Sequence, residues 1–163
     1  GFFFTSHDHE RLLQRPKILA DEAIPAGNGV AAWALSRLGH MLAEPRYLDA
    51  AQRVLRAAWR DIMGLPSAHC TLLHALEELH YPPQLVFLRG ELNEVHSWQA
   101  VLDEEYAPRR LVFPLGTAGR TLPGGQDTTT PESVRAYRCD HFACSAPIHD
   151  LSTLIQELKT KST

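Results

Sequence analysis

The hydrophobic period of this chain changes at Pro82-Pro83, and the change constrains the fold more than any other feature. Before the proline pair, apolar residues recur at steps of three and four, a pattern typical of amphipathic helices. After it, short β-prone runs alternate with helical segments, a pattern typical of a βαβ unit. We therefore predict a helical region over 1–82 and a small α/β region over 83–163.

Three helices are predicted in the first region. They cover about 29–43, about 46–63, and a stretch from Ser67 to the proline pair, with the first two forming an αα-hairpin. Asn28 is a candidate N-cap for the first helix. We expect that helix to bury a stripe made of Val30, Ala34, Leu38 and Leu42, and the second to bury Tyr47, Ala51, Val54, Ala58 and Ile62.

The second region is predicted to hold three strands and two helices. Strands are expected at 84–88, 111–113 and 134–138, with helices over 91–106 and after Asp150, which is a candidate N-cap. Gly, Pro and Thr dominate from Pro114 to Ser133, where we expect a long mobile loop. The predicted fold class is mixed α and α/β, with helical hairpins followed by a small three-strand α/β unit.

Composition excludes several kinds of partner. The 16 Lys and Arg residues are scattered among 19 Asp and Glu residues, and the net charge is −3. Such a charge distribution does not favour binding to nucleic acid or to an anionic membrane. No apolar run approaches the roughly 20 residues that a membrane span needs. Three cysteines are few and odd in number, which favours a reducing compartment, and we expect a cytoplasmic protein.

A loop rich in turn residues leads into the first helix and carries the candidate ligand-binding residues. Asp21 and Glu22 precede Pro25 and Gly27, and Asn28 closes the loop. A carboxylate here can face a pocket, because loops on a rigid scaffold often carry function. The alternative is that Asp21 or Glu22 only stabilises a helix N-terminus.

Cys139 and Cys144 enclose Asp-His-Phe-Ala and allow three interpretations. Zinc would need four ligands and usually closer spacing, so we predict no metal site. The second interpretation is a redox pair. The third, which we expect, is two buried free thiols, the commonest state of such residues.

The run from His7 to Glu10 is interpreted as a solvated loop. No phosphate-binding or hydrolase motif occurs, so no catalytic residue or cofactor is assigned.

Four stretches together resemble a known family. They are Gly1-Phe-Phe-Phe-Thr-Ser6, Arg15-Pro-Lys17, the loop from Asp21 to Asn28, and Cys139-Asp-His-Phe-Ala-Cys-Ser-Ala-Pro147. In order and spacing they are similar to the C-terminal part of the YyaL and spermatogenesis-associated family of thioredoxin-domain proteins. Ala26 and Gly29 stand where that family often has Ser, which removes two hydroxyls from the loop.

The resemblance implies that the helices belong to a six-hairpin α/α toroid like that of N-acylglucosamine 2-epimerases and six-hairpin glycosidases. We accordingly expect a C-terminal segment that packs on the rest of a parent chain, an expectation that the Phe2–Phe4 start also favours. The ligand implied is a sugar or another polar small molecule, and the segment alone is expected to be catalytically inert. The alternatives are an interaction or homo-oligomerisation module, and thiol redox regulation through Cys139 and Cys144.

Overall fold

The computed structural model describes residues 1–116, 133–140 and 143–160 and has the predicted mixed α and α/β fold. The chain divides into two units, Gly1–Pro82 and Pro83–Thr163. Most of the loop expected between Pro114 and Ser133, together with His141 and Phe142, lies outside the described residues. No helix in the described part of the chain combines the length and the apolar character needed to cross a membrane.

The first unit is helical beyond an irregular N-terminal segment. Pro45 begins its second helix, where a missing N–H costs nothing, and Ala43 reverses the chain before it in a left-handed conformation with φ of 53°. A short 3₁₀ turn at Pro66–Ala68 leads into the third helix. The helices are α1 Gly27–Leu42, α2 Pro45–Gly64 and α3 Cys70–His80.

The buried face of α1 differs from the predicted stripe. Val30 is 43% exposed and Leu42 is 54% exposed, and Ala34 is exposed as well. The buried face consists largely of small residues, because a Cβ on Gly39 would lie 2.6 Å from Leu48 Cδ2 and one on Gly29 would lie 2.8 Å from Thr71 Cβ. Close backbone approach to α2 and α3 therefore decides the orientation of α1, and the predicted stripe is wrong. The residues buried on α1 are Asn28, Gly29, Ala32, Ser36, Gly39 and His40.

The predicted face of α2 is confirmed for four of its five residues, because Ala51, Val54, Ala58 and Ile62 are buried, whereas Tyr47 is only half-buried. The core cluster of the first unit consists of Val54, Leu55, Ala58 and Ile62 of α2, Ala32 of α1, and Leu72 and Ala75 of α3. The apolar stripe predicts the buried face of α2 correctly because the other positions of this helix are rich in charged residues.

The second unit is a four-stranded sheet with two helices. Its strand order is β2-β1-β3-β4, with β1 parallel to β2 and antiparallel to β3, and with β4 antiparallel to β3. The βαβ prediction is confirmed, and the two-residue β4 adds a fourth strand to the three expected. The elements are β1 Gln84–Arg89, α4 Leu92–Asp103, β2 Arg110–Leu115, β3 Arg135–Asp140, β4 Ala143–Cys144 and α5 Leu151–Thr160.

Alternate side chains of the strands belong to two apolar clusters, as the period of two requires. Val86 and Leu88 pack with α4 and α5, whereas Leu85 and Phe87 belong to a second cluster with Tyr137 and Cys139. Asp150 caps α5 as predicted, since its Oδ2 accepts a hydrogen bond from the Thr153 N–H at 2.8 Å. The residues packed against the sheet from the helices are Val95, Trp98, Leu102, Leu151, Leu154, Ile155 and Leu158.

Candidate functional site

The carboxylate of Asp21 joins the start of α1 to the start of α3. Its Oδ1 accepts a hydrogen bond from the Ala26 N–H at 2.7 Å, and its Oδ2 accepts one from the Thr71 N–H at 2.8 Å. The Asp21 N–H in turn donates to the Ala68 carbonyl at 2.7 Å. Thr71 lies in the first turn of α3, where backbone N–H groups lack partners within the helix. Both carboxylate oxygens of Asp21 are thus engaged by backbone.

These contacts set the ionisation of Asp21. Burial is the largest single influence and raises the pKa, but hydrogen bonds from the backbone of Ala26 and Thr71, the Thr71 hydroxyl and the nearby His69 outweigh it. The pKa of Asp21 is therefore lowered from its ordinary value of 3.8. Hydrogen bonds to a charged carboxylate favour the charged form, so Asp21 is a fixed anion near neutral pH.

Asn28 is a clamp on the N-terminal segment rather than a helix cap. The helix begins at Gly27 with Ala26 as N-cap, so the predicted capping role of Asn28 is wrong. Its buried amide accepts a hydrogen bond from the Phe2 N–H at 2.6 Å and donates to the carbonyls of Phe2 at 3.0 Å and Ile18 at 2.9 Å. The Asn28 side chain thereby holds two separate stretches of the N-terminal segment, at Phe2 and at Ile18, in place.

An apolar cleft of about 510 Å³ opens between this segment and the loop into α1. Its volume falls within the roughly 300–1,000 Å³ of small-molecule sites. Glu22 and Asn28 line it, whereas Asp21 does not. The structure therefore brings Glu22 and Asn28, two of the three candidate ligand residues, to one cleft. The third, Asp21, lies outside the lining of the cleft. The main side chains around the cleft are Phe2, Phe3, Phe4, Ile18, Glu22 and Ile24.

Phe3 carries positive charge over its ring. The Arg15 guanidinium lies 4.5 Å from the ring centroid and the Lys17 ammonium lies 4.4 Å from it. Such cation–π contacts are worth about 0.5–1 kcal/mol each at exposed sites, and Phe3 is 48% exposed. The sequence does not assign Phe3, Arg15 or Lys17 to the site, although the stretches that contain them are two of the four on which the family resemblance rests.

The cleft combines an apolar, aromatic lining with one carboxylate among its described residues. General acid–base hydrolysis of a glycosidic bond ordinarily uses two carboxyl groups that flank the bond. Glu22 lines the cleft with an exposed side chain, whereas both oxygens of Asp21 are held by backbone N–H groups. Among the described residues lining the cleft, Glu22 is the single carboxylate. An apolar, aromatic surface with one carboxylate suits a ligand that has both an apolar face and hydrogen-bonding groups.

A second chemical feature is the sulfur pair of the other unit. Cys139 and Cys144 are joined by a disulfide bond across β3 and β4, so the expectation of free thiols is wrong. A thioredoxin-like motif would instead place Cys-x-x-Cys by a βαβ unit, with a reactive cysteine at a helix N-terminus. The corresponding start of α4 holds Glu91, whose carboxylate caps the helix by accepting from the Asn93 and Glu94 N–H groups.

The remaining candidates are the run from His7 to Glu10 and a metal site. His7 to Glu10 are exposed, as a solvated loop requires. No group of three or more His, Cys, Asp or Glu side chains is arranged for a metal ion within residues 1–116, 133–140 and 143–160. The sequence matches no protein-family model and no curated protein.

Proposed function

We propose that the first unit is a helix-packing module of a larger α/α array and that it binds a ligand without catalysing a reaction by itself. The observation that carries the proposal is the exposed apolar stripe of α1. Arg37 is the only Lys, Arg, Asp or Glu residue among the 16 residues of α1, and its guanidinium is paired with Glu78. Helices that are apolar on every side are usually covered on every side. The exposed stripe therefore fits a further helix.

The energy available at this stripe is substantial. Complete burial of a Val or Leu side chain contributes about 1.5–3 kcal/mol relative to full exposure. Val30 and Leu42 are each about half exposed, so covering both would recover roughly half of that amount per residue. Ala34, between them on the same stripe, allows a partner helix to approach closely.

A second apolar surface lies on α2 and α3. Trp59 and Met63 are exposed, and a groove of about 390 Å³ is lined by Leu55, Trp59, Leu76 and Leu79. In helical repeat proteins each hairpin leaves apolar surface that its neighbours cover. The occupant we propose for these surfaces is helices of the parent polypeptide, in the toroid that the family resemblance implies. We likewise propose a cytoplasmic location and a sugar or related polar molecule as ligand.

Sedimentation velocity on the chain alone tests the packing proposal. The uncovered stripe should drive concentration-dependent self-association, and Val30→Glu with Leu42→Glu should reduce it while shifting the melting temperature by no more than a few degrees. Ala57→Glu, which adds one negative charge in place of two at an exposed position on α2, should leave association unchanged. A strictly monomeric chain at high concentration, or a melting temperature that collapses in the double variant, would refute the proposal.

The second candidate function is ligand binding at the cleft, favoured by its volume and its aromatic lining. Titration of isotope-labelled chain with mono- and disaccharides should shift the amide resonances of residues 2–4, 18 and 22–28. Glu22→Gln should weaken binding by about tenfold, the cost of losing one charged hydrogen bond, and Glu77→Gln on the exposed side of α3 should not. Turnover of a sugar by the chain alone would contradict the non-catalytic role.

A further inference from the structure

The disulfide of the second unit closes one end of a short edge ladder. Cys139 and Cys144 are directly opposite each other in the antiparallel pairing of β3 and β4, with Cα atoms 4.0 Å apart. Beyond them the Ser145 N–H donates to the Arg138 carbonyl at 2.8 Å. Ala136 and Ile148 then exchange two backbone hydrogen bonds of 2.9 Å. The disulfide therefore ties the β4 end of the segment that leads into α5 to β3.

The two ends of this ladder differ in how firmly they are held. Ile148 is buried in the cluster between sheet and helices, and Asp150 caps the helix that follows. At the other end, β4 is only two residues long, and Ala143 is exposed. At the β4 end, Cys144 is partly exposed where it packs on the sheet, whereas Ile148 is buried. Without the covalent bond, the β4 end therefore has fewer buried contacts than the Ile148 end and is the one expected to open locally.

The two sulfurs also differ in accessibility. Cys139 is 2% exposed and lies among Leu85, Phe87 and Tyr137, whereas Cys144 is partly exposed. Thiol–disulfide exchange requires that an attacking thiolate reach one sulfur of the bond. Cys144 packs against the same cluster but is partly exposed, so it is the more accessible of the two cysteines. A thiolate released at Cys139 would be poorly solvated among these apolar side chains, which favours its attack back on the mixed disulfide at Cys144 with expulsion of the small thiol.

We propose that Cys139–Cys144 is a reversible redox clamp in which Cys144 is the site of thiol modification and Cys139 is the buried resolving thiol. A low-molecular-weight thiolate attacks Sγ of Cys144, the Cys139–Cys144 bond breaks, and its electron pair leaves with Cys139 Sγ, which then takes a proton from water. A second thiolate attacks the sulfur of the first thiol, forms the small disulfide, and releases Cys144 as a thiolate. In the reverse direction Cys139 attacks Cys144 and expels the small thiol.

Opening of the clamp changes the surface of the sheet. The released β4 end would expose the N–H and C=O groups of β3 at its Cys139 end, and unpaired strand edges accept further strands. Reduction thus exposes an edge of β3 to which a further strand can pair, while α5 remains packed on its core.

Mass spectrometry on the whole chain in a Cys70→Ser background tests the proposal, because Cys70 is an exposed free thiol. The chain is equilibrated with graded ratios of reduced to oxidised glutathione and then alkylated. The expected result is half-reduction within the accessible range of ratios, with mixed disulfide on Cys144 at least tenfold more abundant than on Cys139. A bond that stays oxidised at every ratio is purely structural and overturns the proposal, as does equal modification of both cysteines.

Single variants separate accessibility from folding. Cys139→Ser leaves Cys144 free, and Cys144→Ser leaves Cys139 free. Native Cys144 should be alkylated at least tenfold faster than native Cys139, and the two rates should become equal in denaturant. Hydrogen exchange on the reduced chain should accelerate at Cys144 and Ser145 and remain unchanged at Ile148. Equal native alkylation rates, or acceleration at Ile148 as large as at Cys144, would show that the end-specific clamp is wrong.

Discussion

Arg37 and Glu78 form an ion pair between α1 and α3. The Arg37 Nε donates to Glu78 Oε1 at 2.7 Å and Nη2 lies 2.5 Å from the same oxygen, while the guanidinium also lies 4.2 Å from the centre of the Trp33 ring. The Glu78 side chain is 3% exposed and that of Arg37 is 24% exposed. The charge of the buried Glu78 carboxylate is therefore stabilised mainly by Arg37, whereas the charge of Arg37 is also stabilised by solvent.

Removal of the two partners should accordingly have unequal effects. Arg37→Met leaves a buried carboxylate without its counter-charge, and we expect a loss of about 3 kcal/mol in the free energy of unfolding. Glu78→Gln keeps an acceptor and leaves a cation that reaches solvent, so its loss should be about 1 kcal/mol. Urea denaturation of both variants measures the difference. Equal losses would show that the pair is not asymmetric.

Two glycines should respond to Ala in opposite directions. At Gly39 a Cβ would lie 2.6 Å from Leu48 Cδ2 and 3.1 Å from the Leu48 backbone nitrogen, and only the first of these can move aside. We expect Gly39→Ala to cost about 1–3 kcal/mol, as overpacking does. At Gly64, the last residue of α2, no atom lies within 4 Å of the added Cβ, so Gly64→Ala should stabilise by about 0.5 kcal/mol. Thermal unfolding of both variants checks the opposite signs.

Gly29 and Gly39 explain why the buried face of α2 was predicted and that of α1 was not. On α2, charged residues alternate with Ala51, Val54, Ala58 and Ile62, so the sequence contains one apolar stripe and the buried face is unambiguous. On α1 nearly every residue is small or apolar, and two stripes compete. Close approach to Leu48 and Thr71 decides between them, and it depends on tertiary contacts that no local pattern contains.

The candidate site was predicted in part for a similar reason. Local turn chemistry located the loop from Asp21 to Asn28, but the partners of its polar groups are distant in sequence. Thr71 is 50 residues from Asp21, and Phe2 is 26 residues from Asn28. Capping and clamping roles of this kind require the fold, and the cleft arises from the N-terminal segment that Asn28 holds. The sulfur pair was located by spacing, whereas its bonding follows from the register of β3 and β4.

The hydrogen bonds to Asp21 should make its contribution to stability depend on pH. Because the folded pKa is lowered from 3.8, the contribution is fully present above that value and is lost as the pH falls through the lower folded pKa. At pH 7 we expect Asp21→Asn to cost about 1 kcal/mol, the usual loss of a helix cap. Its melting temperature should approach that of the parent chain as the pH falls from above 3.8 through the lower folded pKa of Asp21. Asp49→Asn, at an exposed position on α2, is the matched control, and a gap that is constant with pH would contradict the prediction.

Loss of the Asn28 clamp should loosen the N-terminal segment without unfolding the helices. Asn28→Ala removes its hydrogen bonds to Phe2 and to the Ile18 carbonyl, whose net worth is of order 1–1.5 kcal/mol each. The Ile18 end is held by one of these bonds, and about 1.4 kcal/mol is a factor of ten. Trypsin cleavage at the Lys17–Ile18 bond should therefore accelerate about tenfold, because proteolysis follows the population of the open segment. Cleavage at Arg11–Leu12, in the exposed stretch between the two residues that Asn28 holds, should change little and serves as an internal control. Asn93→Ala, at an exposed position on α4, is the matched variant. If Asn28→Ala leaves the Lys17–Ile18 rate unchanged, the segment is held by its apolar contacts instead of the amide.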